Sequence, residues 1–303
     1  MGRGIALEND KTALLKLVFT MVLFGTIGIF VRYITFPSSL VALVRGIIGT
    51  LYLLVVIVVI KKQKIDVNAV KKNLPLLIIS GTAMGFNWIL LFEAYNYTTV
   101  ATATLCYYLA PIFVIIASPI LLKEKLTLKQ VVCVIVALIG MVFVSGVLDI
   151  SISFAETRGI IFGLGAAILY ASVIMLNKAI KDITAYDKTI LQLGTAATVL
   201  LPYCALTIDF STLHADGMAV AMLLVVGILH TGIAYAIYFG AIKELNTQTA
   251  AILSYIDPVV AVLLSAFLLN ESLGFAGIIG AVLILGSTLV SSVNLKKGIK
   301  TKA

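Results

Sequence analysis

Ten stretches of this chain are apolar for about twenty residues at a time, and that feature leaves few folds open. A helix needs roughly 20 mostly apolar residues to cross a bilayer. The stretches 12–33, 39–60, 74–95, 99–122, 128–148, 158–178, 188–208, 218–242, 247–269 and 273–293 meet that need. In hydrocarbon a backbone N–H or C=O must find its partner inside the protein, so each stretch predicts a transmembrane helix. A membrane barrel would alternate in character over about 10 residues per strand; these stretches do not alternate. Of the 303 residues, 61% are hydrophobic and 12% charged, against about 25% charged in a soluble domain. That excludes a soluble fold, a disordered chain, a disulfide scaffold and a nucleic-acid binder. The expectation is an all-α integral membrane protein whose main partner is the lipid bilayer.

The charges then orient the chain. Lysine and arginine collect on the cytoplasmic side of short loops. With the N-terminus inside, the inner segments hold 19 of the 22 cations, the outer segments two (Arg32 and Arg158), and Arg45 lies within a span. This predicts a multi-pass protein of the cytoplasmic membrane with both termini cytoplasmic and an even number of spans. Charges at Glu8, Asp10, Lys11 and Lys16 argue against a cleaved signal. Cys106, Cys133 and Cys204 fall inside apolar stretches without metal-ligand spacing and read as small membrane-embedded hydrophobes.

The two halves, 1–148 and 149–303, resemble each other. At an offset of 147, residues 85–124 match 232–271 at 11 of 40 positions, including Gly85/Gly232, Tyr108/Tyr255, Pro111/Pro258, Ser118/Ser265 and Glu124/Glu271. The first and sixth spans align too, each ending in a cation, Arg32 and Lys178. Five spans per copy is an odd number, so the second copy crosses in the opposite sense. Ten transmembrane helices as two inverted five-helix repeats is an arrangement found in many secondary transporters.

The repeat endings carry a resemblance. One reads Tyr108-Leu109-Ala110-Pro111, then Leu121-Leu122-Lys123-Glu124, then Gly140; the other reads Tyr255-Ile256-Asp257-Pro258, then Leu268-Leu269-Asn270-Glu271, then Gly286. With Gly25-Thr26-Ile27-Gly28 and Arg45, this chain resembles the drug/metabolite transporter superfamily, in its ten-span EamA-type branch. The resemblance implies a central cavity surrounded by spans 3, 4, 8 and 9, with spans 1, 2, 6 and 7 as moving gates and spans 5 and 10 at the periphery. It does not choose a substrate.

Polar groups inside lipid are costly, and each asks for a reason. Asp257 lies midway along the ninth span, just before Pro258, on a stripe with Ala250, Ser254, Ala261 and Ser265. It is a candidate proton or cation carrier, or a clamp for a substrate amine; the structural alternative is an aspartate satisfied by a Tyr or Arg neighbour. Arg45, about 9 Å into its span at 1.5 Å per residue, is a candidate for a substrate carboxylate, an ion pair or snorkelling. Glu93 with Arg32 or Arg45 suggests an outer latch. His230 titrates near neutral pH and suits a proton relay, or equally a neutral hydrogen-bonded histidine. Asn87, Trp88, Tyr235, Tyr108, Tyr255, Tyr170, Tyr107 and Tyr238 sit within spans rather than only at their ends, and rings with polar tips suit a pocket for an organic solute. Glu124 and Glu271 close spans four and nine and read as helix-end or loop contacts.

The function expected is a secondary transporter of a small organic solute (an amino acid or related metabolite, or a drug) by alternating access, exporting rather than importing. No cofactor is expected, with proton coupling an option, and the protein is a monomer or homodimer. No phosphate-cradling G-x-x-x-x-G-K-[ST] loop is present, so energy comes from a gradient or from exchange. The alternatives are an exchanger or flippase for phosphorylated or lipid-linked sugars, and a passive channel. An enzyme is not expected, because neither histidine has a partner acid or nucleophile at a recognisable spacing.

Overall fold

A computed structural model of the chain describes residues 2–121, 127–144, 153–213, 216–242, 253–271 and 273–292. The described residues form helices and connections, with no strand among them. In order, the α-helices are α1 (Gly2–Gly25), α2 (Ile27–Arg32), α3 (Ser38–Leu54), α4 (Val67–Tyr97), α5 (Val100–Tyr107), α6 (Ala110–Leu121) and α7 (Leu128–Val144). They continue with α8 (Phe154–Ala179), α9 (Ala185–Thr207), α10 (Gly217–Val225), α11 (Ala234–Ile242), α12 (Ile256–Leu268) and α13 (Gly274–Ser292). Two π-helical stretches, Val55–Ile60 and Val226–Ile233, extend α3 and join α10 to α11. Among the described residues, seven helical runs are long and apolar enough to cross a membrane: Thr12–Arg32, Ser38–Ile60, Val67–Tyr97, Val100–Ala117, Phe154–Ala179, Ala185–Thr207 and Gly217–Ala241. Three further apolar helices, Leu128–Val144, Ile256–Leu268 and Gly274–Val290, are shorter than a crossing requires.

Local sequence explains where the helices begin and break. Asp66 accepts from the N–H groups of Asn68 and Ala69, both at 3.0 Å, and starts α4. Ser153 and Glu156 form a reciprocal capping box at α8. The α5–α6 run breaks at Tyr108–Leu109, and α12 begins after a turn at Ser254–Tyr255. These breaks fall within one residue of each other at the 147-residue offset, and each stands just ahead of a proline, Pro111 or Pro258. Proline has no N–H, so the carbonyl four residues earlier loses its usual helical donor.

Helix contacts are close where side chains are small, as membrane packing favours. A Cβ on Gly280 of α13 would lie 2.5 Å from the Gly140 carbonyl oxygen of α7. A Cβ on Gly25 would lie 2.6 Å from the Asp257 carbonyl oxygen, so the end of α1 rests directly on the start of α12. The outward faces remain apolar: Phe275 is 81% exposed and Val282 66%.

The bundle has two distinct ends. At one, Asn73 donates to the Lys181 carbonyl at 2.8 Å and Lys61 to the Tyr186 hydroxyl at 2.8 Å. Here too Lys72 pairs with Asp182 at 2.9 Å, and its ammonium holds the exposed Asp182 carboxyl below the usual carboxylate range. This is the lysine-rich end. At the other, Arg32 donates to the Thr98 carbonyl at 3.0 Å and pairs with Glu271.

Candidate functional site

Between the helices lies a cavity of about 640 Å³. The breaks feed it directly. Asp257, Ser254 and Tyr255 line it from α12 and the turn before it, and Tyr108 and Pro111 from the α5–α6 break. Arg45 enters from α3, Asn87 and Trp88 from α4, Tyr170 from α8 and Tyr235 from α11. Both halves of the sequence therefore build the walls. The lining reaches Lys188 and Thr189 in the first turn and a half of α9, at the lysine-rich end.

The charged groups sit among aromatic rings. The Tyr108 hydroxyl donates to the Asp257 carboxylate. Tyr107 and Tyr170 stack with centroids 5.1 Å apart and an interplanar angle of 19°. Arg45 is 5% exposed; its Nε donates to the Thr231 hydroxyl at 2.9 Å, and its guanidinium carbon lies 4.1 Å from the Trp88 ring centroid. Asn87 also has a packing role, donating to the Ala166 carbonyl of α8 at 2.5 Å.

Two candidates stand elsewhere. His230 is fully buried behind the wall, with Nε2 2.8 Å from the Thr26 hydroxyl oxygen. That hydroxyl also lies 2.7 Å from the Leu23 carbonyl, and the ring's Nδ1 lies 3.5 Å from the Val225 carbonyl. His230 thus ties the π-helical stretch to the break between α1 and α2. Glu93 accepts from Ser38 at 2.8 Å and Asn96 at 3.3 Å, and lines a separate cavity of about 720 Å³ at the Arg32 end.

The expected latch between Glu93 and Arg32 or Arg45 does not form; Arg32 pairs with Glu271 instead. The physical reason is the start of α5. Its Val100 N–H donates to Glu271 at 2.8 Å, and the Ser265 hydroxyl donates to the same oxygen at 2.5 Å. A helix N-terminus carries partial positive charge, so Glu271 is held by a cation and a dipole together. This is the helix-end contact expected for Glu271; Glu124 and Ala250 lie outside the described residues.

Sequence reading passed over a polar group on the cavity wall. Gln192 donates to Ser80 and Asn177, both at 2.8 Å, one turn along α9 from Lys188. The signal was present: Lys188 and Gln192 are four apart, on one face of an apolar helix. Thr104 and Tyr95 line the cavity as well. Among the described residues no group of three His, Cys, Asp or Glu could hold a metal ion.

The model of the EamA-like transporter family matches residues 11–146 and 157–293. A Bacillus subtilis (strain 168) protein named "Uncharacterized transporter YxxF" is 31% identical over 264 residues, 86% of this chain and 83% of its own length. An Archaeoglobus fulgidus protein named "Uncharacterized transporter" is 29% identical, covering 91% of this chain and 94% of its own. "Uncharacterized inner membrane transporter YhbE" of Escherichia coli (strain K12) is 29% identical over 148 residues, 44% of this chain and 46% of its own. A solved protein structure superposes with a TM-score of 0.65 at 18% identity, covering 92% of this chain and 97% of that one, which shows the shared fold. Two matched segments, one in each half, together with apolar helices of membrane-crossing length, lead to one conclusion: this chain belongs to the EamA-like transporter family of the drug/metabolite transporter superfamily, and is a multi-pass membrane transporter rather than an enzyme.

Proposed function

We propose that the protein is a secondary transporter that carries a small organic solute through the central cavity by alternating access, in the direction of export. The observation that carries this reading is the asymmetry of the cavity. It reaches Lys188 at the lysine-rich end, while at the other end Arg32, Glu271, Ser265 and Val100 tie α2, α5 and α12 together. A cavity that reaches one end beneath a bonded lid at the other is one half of an alternating-access cycle. In this reading the seven long helices and three shorter apolar ones make ten spans, arranged as two inverted repeats. The lysine-rich end faces the cytoplasm, following the distribution of cations. The matching helix breaks at Tyr108 and Tyr255 support this arrangement, since discontinuous helices at a repeat interface commonly frame transporter sites.

Asp257 is the proton-carrying group of this proposal. It is a carboxylate on the cavity wall beside a tyrosine donor, and a protonatable group in a membrane interior suits coupling. The cavity volume suits a metabolite-sized solute.

The test starts with thermal-shift screening of purified protein against amino acids, organic acids, amines and aromatic drugs. A ligand that binds the folded state raises Tm by mass action. The best hit is then labelled and followed in proteoliposomes. Saturable counterflow, with pH-gradient-driven uptake abolished in Asp257→Asn, is the expected result. Flux that never saturates and shows no counterflow would mark a channel and overturn the transporter mechanism. Undiminished pH-driven uptake in Asp257→Asn would overturn only the coupling role.

A further inference from the structure

The guanidinium of Arg45 has an incomplete environment. It is almost fully buried in a helix of membrane-crossing length. One of its five N–H groups, Nε–H, is spent on Thr231. The Thr231 hydroxyl is itself committed as a donor to the Val226 carbonyl at 3.1 Å, so only its lone pair faces Arg45. Trp88 at 4.1 Å and Phe92 at 5.5 Å lie against the guanidinium, and the Tyr235 hydroxyl is a second hydrogen-bond partner. Rings and hydroxyls solvate a cation but do not neutralise it. Among the described residues the ion pairs are Arg32–Glu271 and Lys72–Asp182, and neither reaches Arg45. Asp257 is held by Tyr108, and Glu93 by Ser38 and Asn96 in the other cavity.

A cation in a low-dielectric wall with no acid paired to it is costly. Its planar fork of donors fits a carboxylate with two parallel bonds. Arg45 lines the cavity, so the missing anion can arrive with the solute. The neighbouring surface defines the rest of that solute. Trp88, Tyr95 and the stacked Tyr107–Tyr170 pair present flat rings on the same cavity. The geometry points to Arg45 as the residue that reads a carboxylate, and to the transported class as organic acids with one flat aromatic body. This rests on the transporter reading of the cavity and names its solute class.

The sequence supplies its own reporter. The chain has one tryptophan, Trp88, and it is the ring against Arg45. Purified full-length protein in detergent is titrated with benzoate, benzyl alcohol and benzylamine, which share a ring and differ in charge. Trp88 emission and Tm are followed together. Benzoate is expected to change Trp88 emission saturably and raise Tm, with the alcohol and the amine doing neither at equal concentration. Arg45→Gln is expected to weaken benzoate binding roughly ten- to hundredfold, the loss typical of a hydrogen bond to a charged group. Arg45→Lys keeps the charge without the fork and is expected to fall between. Asp182→Asn, at the exposed pair with Lys72, is the control and binds as the parent does. If Arg45→Gln does not fold, the three-ligand series on the unaltered protein still decides the matter. Benzylamine or benzyl alcohol binding as well as benzoate, or no response to benzoate, overturns the assignment. Saturable counterflow of a solute without a carboxylate would do the same while leaving the transporter reading intact. Flux without saturation would sink that reading, yet would not erase benzoate binding at Arg45.

Discussion

Single side chains here have two distinct jobs, and hydrogen-bond accounting separates them. His230 has the residue type of a proton relay, but its ring is buried behind the cavity wall and held by Thr26. Thr26→Val removes that partner and leaves a buried imidazole nitrogen unpaired. The expected cost is about 1–3 kcal/mol of stability, read as lowered Tm in detergent, with the pH dependence of transport per folded molecule unchanged. An altered pH profile would return His230 to the transport path. Arg45 and Asp257 differ from it in reaching the cavity, where a change of charge is felt by a solute.

At the scale of elements, small residues set how near two helices can come. In the crossing of α7 and α13, a Cβ on Gly280 would press against the Gly140 carbonyl. Backbone cannot give way as a flexible side chain can, so Gly280→Ala is expected to lower Tm and the yield of folded protein. Gly286, on the same helix, has nothing within 4 Å of an added Cβ. There Gly286→Ala removes unfolded-state freedom and is expected to be neutral or stabilising by up to about 1 kcal/mol. Equal effects at the two positions would show that α13 does not pack on α7 in this register. The π-helical stretch Val226–Ile233 belongs to this scale as well. Its altered winding brings Thr231 to Arg45 and His230 to Thr26, a placement that a reading in α-helical steps does not supply.

For the whole molecule, the consequential feature is that hydrogen bonds and an ion pair tie three helices together at one end. Glu271 joins α2, α5 and the end of α12 through one carboxylate. Glu271→Gln keeps the shape and removes the charge that both Arg32 and the start of α5 favour. In a background without Cys106, Cys133 and Cys204, a Thr104→Cys substitution places a thiol on the cavity wall. A membrane-impermeant maleimide is expected to label it from the lysine-rich side and poorly from the Arg32 side. Adding Glu271→Gln is expected to raise labelling from the Arg32 side several-fold. A lid that merely packs, rather than gates, would leave both rates unchanged.

The helical class and the apolar character of the helices were legible because each is a property of consecutive residues. A run of apolar side chains must satisfy its own backbone wherever its neighbours lie. The break at Tyr108 falls inside the stretch 99–122, read as one continuous span, although Pro111 acts on the carbonyl four residues back. Asp257, Arg45 and Trp88 could be singled out because polar groups in apolar runs are visible one at a time. What only the tertiary structure decided was which of them meet. Glu93 and Arg32 are close in depth along their helices, yet Glu93 turns to Ser38 and Arg32 to Glu271, 239 residues away in the chain. His230 and Asp257 look alike as lone titratable groups in spans, and only the facing of their helices sets one behind the wall and the other on it. Depth along a helix is written in local sequence. Rotation about its axis and choice of neighbour are set by packing between segments far apart in the chain, and the cavity is a product of those choices.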